Sequence, residues 1–312
     1  MVTISHILCP TDFSPVSANA ETYAAALAKY YGARLSLVHI DPPMPVMAPY
    51  GEIPVDIRLF DEQRRQAEQD LAAAGARARA SGITVDTSLV GGYPGREVLA
   101  LAREQDVDLI VLGSHGRGGL EHLLLGSVAE KVLRKAPCPV MVVPSAAPPE
   151  HGVRFARILC PVDGSAASAD AVAQAVDLAR ETDAQLTLVH VVEPMPAASE
   201  FAVLDAEEYR RAGEAYGARL LREAVSDDVR TWCRIDERVL EGKPSDRIVD
   251  AARNLGADVI VMGVRGRGAL DLLAFGSTAN AVVRQAPCPV FVVHPKARDE
   301  RRPAVMPATV LV

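Results

Sequence analysis

The sequence predicts an α/β protein built from two tandem repeats, each a five-stranded parallel sheet with helices on both faces. Three observations carry this. The chain has 312 residues, enough for two domains that each bury a core. Its halves align over nearly their whole length: Ile7-Leu8-Cys9-Pro10-Thr11-Asp12 matches Ile158-Leu159-Cys160-Pro161-Val162-Asp163, and Leu35-Ser36-Leu37-Val38-His39-Ile40 matches Leu186-Thr187-Leu188-Val189-His190-Val191. Each half also alternates short apolar runs, read as buried parallel strands, with longer segments of helical periodicity. Parallel strands joined by helical crossovers give a doubly wound, Rossmann-like unit.

In the first half, strands are expected over roughly residues 4–9, 34–40, 83–90, 107–113 and 139–143, with helices over roughly 16–31, 56–80, 95–105 and 127–135. The second half repeats these elements about 150 residues later. Alanine-rich stretches such as Ala24-Ala25-Ala26-Leu27-Ala28 give a helix a face compact enough to lie close to a sheet. The offset between halves is 151 residues as far as the histidines and 150 from Pro94 and Pro244 onward, so a one-residue difference lies between. Proline-rich residues 144–152 mark the boundary between a first domain at 1–145 and a second at 153–296. Residues 297–312 form a C-terminal tail outside the repeat, whose end, Ala308 to Val312, is β-prone and expected to pack on a surface. The last strands, Val140–Val143 and Val290–Val293, would leave apolar sheet edges if uncovered; antiparallel pairing of the two makes a pseudo-dimer within one chain. A further homodimer is left open.

Composition narrows the function. Hydrophobic residues make up 49% and charged residues 23%, as in a soluble globular protein. A formal net charge of −7 argues against nucleic acid or an anionic membrane as a partner. The N-terminus lacks the basic start of a signal peptide, and no apolar run approaches the ~20 residues of a membrane span, so a cytoplasmic location is expected. Five cysteines without a C-x-x-C pair suggest neither a disulfide framework nor a zinc site; Cys9, Cys138, Cys160 and Cys288 read as small buried hydrophobes.

The chemistry gathers at a glycine spacing that occurs twice. Gly113, two residues, Gly116, nine residues, then Gly126-Ser127 is repeated as Gly263, Gly266 and Gly276-Ser277. Each copy follows an apolar strand and opens a helix, the arrangement in which backbone N–H groups face an anion. Ser127 and Val128, and Ser277 and Thr278, begin those helices. Asp12 and Asp163 follow the first strand of each half, where a carboxylate can take a ribose hydroxyl or approach a phosphate-bound metal and can also cap the next helix. Arg117 and Arg267 follow the second glycine and either reach phosphate oxygens or remain solvated. His39 and His190 read as hydrogen-bonded core histidines. Asp41 to Pro54 carries five prolines and reads as an extended loop at the sheet's carboxyl edge. Gly242-Lys243-Pro244-Ser245 is not a P-loop, since Glu237 stands where its first glycine belongs; no dinucleotide G-x-G-x-x-G and no Gly-x-Ser-x-Gly elbow occurs.

The twice-met G-x2-G-x9-G-[S/T] pattern, the early Pro-Thr-Asp-Phe-Ser, the Leu-Val-His strand and the closing Pro-Cys-Pro-Val together resemble the universal stress protein family, in its tandem two-domain, ATP-binding form. The resemblance spans about residues 2–143 and 154–294. It implies a fold like that of the adenine nucleotide alpha-hydrolases and ATP as ligand, with or without Mg²⁺. Asp12 and Asp163 would meet ribose or adenine, and Ile40 and Val191 would flank the adenine. Leu112-Gly113, Gly116 and Gly126-Ser127-Val128 would hold ribose and phosphates, as would Met262-Gly263, Gly266 and Gly276-Ser277-Thr278 in the other half. The implied role is regulatory, with slow hydrolysis at most. The alternative is an enzyme that hydrolyses ATP slowly or adenylates a second substrate, although the His-Ile-Gly-His and Ser-Gly-Gly-x-Asp-Ser signatures of adenylating relatives are absent.

Overall fold

A computed structural model describes residues 4–43, 57–116, 125–145, 153–195, 205–264 and 275–294. The first half runs β1 (His6–Pro10), α1 (Pro15–Tyr31), β2 (Arg34–Asp41), α2 (Ile57–Arg79), β3 (Val85–Gly91), α3 (Pro94–Glu104), β4 (Leu109–Gly113), α4 (Ser127–Lys135) and β5 (Val140–Val143). The second runs β6 (Arg157–Pro161), α5 (Ala166–Thr182), β7 (Gln185–Val192), α6 (Ala206–Glu223), α7 (Asp227–Trp232), β8 (Arg234–Glu241), α8 (Pro244–Leu255), β9 (Val259–Gly263), α9 (Ser277–Gln285) and β10 (Val290–Val293). Helix α7 departs from the expected strict repeat. After α6 ends at Glu223, Ser226 with Asp227 and Asp228 starts a new turn, acids that suit a helix's positive end.

Within each half the strands are parallel, in the order β3-β2-β1-β4-β5 and its counterpart. Strands β5 and β10 then pair antiparallel, Met141 opposite Phe291, Val142 opposite Val290 and Val140 opposite Val292. One ten-stranded sheet results, and the expected pairing of the last strands is what the fold uses. The same pseudo-twofold places Tyr30 of α1 against α5, its hydroxyl donating to the Glu181 carbonyl.

Side chains alternate across the sheet. Ile7, Cys9, Leu35, Leu37 and Val111 face α1 and α2; Leu8, Val38, Ile110 and Leu112 face α3 and α4. Apolar residues therefore occupy both faces, which is why these strands read as unbroken apolar runs. On α1, Ala20, Ala24 and Ala28 are wholly buried at a four-residue spacing, so the helix settles close to the strands. Helices α1 and α5 start at capping serines: Ser14 accepts from the Ser17 N–H at 3.2 Å, and Ser165 from the Ser168 N–H at 3.1 Å. Ser165→Ala should lower unfolding stability by about 1 kcal/mol with an unchanged urea m-value. An unchanged midpoint would mean that solvent replaces the cap at no cost.

In each half the strand order reverses between β1 and β4, or between β6 and β9. The crevice at the carboxyl ends of those strands is where open α/β sheets take ligands. Asp12 follows one strand bordering it and Gly113 ends the other.

Candidate functional site

The floor of the first crevice is a short loop held from within. Beyond β1, the Thr11 N–H continues the ladder to the Val38 carbonyl at 2.8 Å. The Asp12 carboxylate accepts from the Ser14 N–H at 3.1 Å, a turn that leaves capping to Ser14. Between them Phe13 adopts a left-handed backbone, φ 61°. That conformation is unfavourable for a bulky residue. Two contacts hold it: its N–H donates to Thr11 Oγ1 at 3.1 Å, and its ring stacks on His39 with centroids 4.5 Å apart. Thr11 Oγ1 in turn donates to Glu21 at 2.6 Å, and Arg77 reaches the same carboxylate at 3.2 Å.

The roof is the glycine loop and helix α4. Its two ends are pinned by backbone bonds, Ser114 N–H to the Val143 carbonyl and Gly126 N–H to the Ser114 carbonyl, both 2.9 Å. Gly116 lies against Asp12, so close that a Cβ there would overlap the carboxylate. A Cβ on Gly126 would stand 3.2 Å from the His115 Cα and 3.8 Å from the Gly116 nitrogen. Asp12, Gly116 and Gly126 thus lie close together. Gly126 takes the N-cap position of α4 and no side chain caps it, so the first-turn N–H groups open toward the loop. Leu112 is buried on the α4 face of the sheet and Ile40 packs on the same side. Gly113 serves packing: a Cβ there would come within 2.9 Å of Val16 on α1.

The second half repeats the frame. Asp163 accepts from the Ser165 N–H at 2.9 Å, Val264 N–H donates to the Val293 carbonyl at 3.0 Å, and Gly276 N–H to the Val264 carbonyl at 3.1 Å. Gly276 again begins its helix, α9, without a side-chain cap. Val191 borders this crevice, half-buried, and Met262 is buried beside Gly263, whose Cβ would meet the Ala167 carbonyl at 2.6 Å. Arg117, Gly266 and Arg267 lie outside the described residues, as do most of the proline-rich loop after Asp41, the segment between the domains from 146 to 152, and the tail.

His39 and His190 play one role. Each donates from Nδ1 to the carbonyl before its aspartate, Thr11 or Val162, at 2.8 Å, and so ties β2 or β7 to the loop. The halves differ around this shared frame. Gly164 takes the left-handed position of Phe13 at φ 79°, and Tyr216 meets the edge of His190 where Phe13 stacks on His39. Thr11 with Glu21 and Arg77 escaped the sequence reading; the exchange of Thr11 for Val162 in otherwise matched strands was its only signal.

The five cysteines are free and buried. Burial pushes the Cys138 and Cys288 thiols up to about 12, and those of Cys9, Cys160 and Cys233 upward as well. At pH 8 a disulfide reagent should label the folded protein slowly and all five thiols promptly after denaturation; rapid labelling of the folded chain would contradict the burial.

Comparison with known proteins follows the same division of the chain. The model of the universal stress protein family matches residues 3–144 and again 154–294. The chain belongs to the universal stress protein family. Among tandem relatives, a universal stress protein of Mycolicibacterium smegmatis is 28% identical over 299 residues, spanning 93% of this chain and 97% of its own. Universal stress protein YxiE of Bacillus subtilis is 34% identical over 143 residues, 44% of this chain and 97% of its own length. A solved universal stress protein from Archaeoglobus fulgidus is 25% identical, covers 93% of this chain and 96% of its own, and superposes with a TM-score of 0.65. This universal stress protein is therefore a tandem member with both family units joined through one sheet. Among its described residues no helix is long and apolar enough to cross a membrane.

Proposed function

We propose that this universal stress protein binds one ATP in each half and acts as a cytoplasmic regulator, its bound state read out by surface or assembly. The observation that carries this is the uncapped helix start, closed by a backbone bond onto a glycine loop beside a strand-end aspartate, and present twice. Helices α3, α7 and α8 also start without a side-chain cap; α4 and α9 differ in starting at a glycine whose N–H bonds back to residue 114 or 264 at the crevice. An uncapped N-terminus with its positive dipole end suits phosphate oxygens.

In this reading Ser127 and Val128, with Ser277 and Thr278, meet the phosphates, Gly116 and Gly266 let the loop approach them, and Arg117 and Arg267 add charge. Asp12 and Asp163 take the ribose, and Ile40 and Val191 flank the base. A phosphate placed beside Gly116 meets the Asp12 carboxylate, so Asp12 must bind a hydroxyl or share a cation with the phosphates. Among the described residues no cluster of three His, Cys, Asp or Glu side chains holds a metal alone. Mg²⁺ would arrive on the nucleotide, with Asp12 or Asp163 as its nearby protein ligand. With a net charge of −7, nucleic acid is not an expected partner.

Denaturing the purified protein and identifying released nucleotide tests the ligand. ATP released, or ATP bound on addition to nucleotide-free protein, is the expected result. A chain that neither retains nor takes up adenine nucleotide would overturn the reading.

A further inference from the structure

A cavity of about 230 Å³ lies between the halves, lined by Ser114, His115 and Ser145 of the first and by Arg253, Val283 and Arg284 of the second. Its volume is below the ~300 Å³ from which drug-sized pockets begin, so it suits a small ligand. Its lining is rich in donors. Arg253 and Arg284 line it from one half, and Ser145 and a serine–imidazole pair, Ser114 Oγ and His115 Nδ1, 3.1 Å apart, line it from the other. Both guanidinium groups are already engaged within the protein, Arg253 with Asp250 at 3.5 Å and with the Gln285 carbonyl at 3.4 Å, so neither is a bare cation. The negative end of α9 also works against an anion, but it amounts to roughly half an elementary charge.

The pseudo-twofold shows what this space does elsewhere. Val283 stands four residues before Pro287, and its equivalent Leu133 four before Pro137. Proline has no N–H, so neither carbonyl can receive the usual helical bond. For Leu133 the donor is His294, whose Nε2 reaches that carbonyl at 2.8 Å. The residue equivalent to His294 in the first half is Pro144, which has no side-chain donor. Pro144 and Val283 both line the cavity. The same fold thus places an imidazole on one side and a donor-lined cavity on the other.

We propose that this cavity binds a small oxyanion, phosphate or hydroxycarboxylate, on the first half's side alone. The arginines and serines hold its charged oxygens, and its remaining hydroxyl or P–OH donates to the Val283 carbonyl as His294 does to Leu133. Ser114 and His115 begin the glycine loop, so the bound anion links the end of α9 to the first half's crevice.

Calorimetric titration of the full chain with inorganic phosphate, and separately with malate, in the presence and absence of saturating ATP tests this and tells the two sources apart. One equivalent of one of these anions should bind, and should still bind with ATP present. Pro144→His, which supplies the imidazole found on the other side, should abolish it. Arg284→Gln should weaken it about tenfold or more, as loss of a charge-assisted bond does, whereas the symmetry-related Arg134→Gln should change nothing. Binding that ATP displaces would place the anion at the glycine loop and overturn the inference. So would binding unaffected by Pro144→His, or no binding of either anion. The inference does not rest on the nucleotide reading: should ATP fail to bind, the Pro144→His arm still decides it.

Discussion

Lysine at both Met141 and Phe291 should part the two halves. These residues face each other at the centre of the β5–β10 pairing, Met141 at 1% exposure and Phe291 at 8%, inside the apolar cluster shared with Tyr23, Val143 and Val293. Each lysine would bring an ammonium group into this contact with no acid among the pairing strands, and two like charges would face each other. Burying an unpaired charge is among the few single changes that exceed ~4 kcal/mol, enough to undo a contact four residues long on each side. Scattering should show a larger radius of gyration and limited proteolysis a new cut between 145 and 153, while far-UV circular dichroism stays near that of the parent. Met141→Leu, which keeps the volume and the apolar character, should cost less than ~1.5 kcal/mol and leave the shape alone. If the double lysine variant keeps its shape and its protease resistance, strand pairing is not what joins the halves.

The pairing was legible because an apolar, β-branched strand at the end of a parallel order has one open edge, and two copies of it can satisfy each other. The starts of α4 and α9 at Gly126 and Gly276 were legible for a similar reason: a glycine ahead of a helical period marks a backbone position, and a position of that kind survives as a pattern. Side-chain duties did not. Gly113 and Gly116 carry the same letter, yet one glycine is bare because Val16 of α1 packs on it and the other because it lies on Asp12. Only the three-dimensional approach of α1 tells them apart. The aspartates showed the same limit. Capping and ligand contact both fit Asp12, until the structure gave the cap to Ser14 and left the Asp12 carboxylate facing the glycine loop. The break between α6 and α7 follows from a few local residues where the two halves fall out of register, so a repeat-based reading carried the single helix across it. The difference between Pro144 and His294 carries no pattern of its own in the sequence; its consequence shows only where His294 reaches the Leu133 carbonyl while Pro144 lines a cavity beside Val283.

Calorimetry should find two ATP per chain, and each half should lose its own site independently. Valine at Gly116 drives a side chain into the Asp12 carboxylate, and valine at Gly126 crowds the His115 backbone 3.2 Å from the new Cβ, so the loop can no longer close beside the start of α4. The pair Gly116→Val and Gly126→Val should leave one ATP, and Gly266→Val with Gly276→Val should do the same from the other side. The surviving sites need not be equal. The first turn of α4 carries Glu130, whose charge competes with a phosphate for the helix end, while the equivalent residue on α9 is Asn280. A charge in the first turn interacts with the helix end by about 0.3–1 kcal/mol, so the second site should be tighter by roughly two- to fivefold, and Glu130→Gln should close the gap. Turnover should be far below the ~10 s⁻¹ of a typical enzyme. Neither half has a P-loop lysine, and His39 and His190 already hold backbone carbonyls, which leaves neither imidazole to position an attacking water. No ATP bound by the parent chain, loss of both sites from substitutions in one half with the fold intact, or turnover near ~10 s⁻¹ would each defeat this account of two independent, slowly emptied sites.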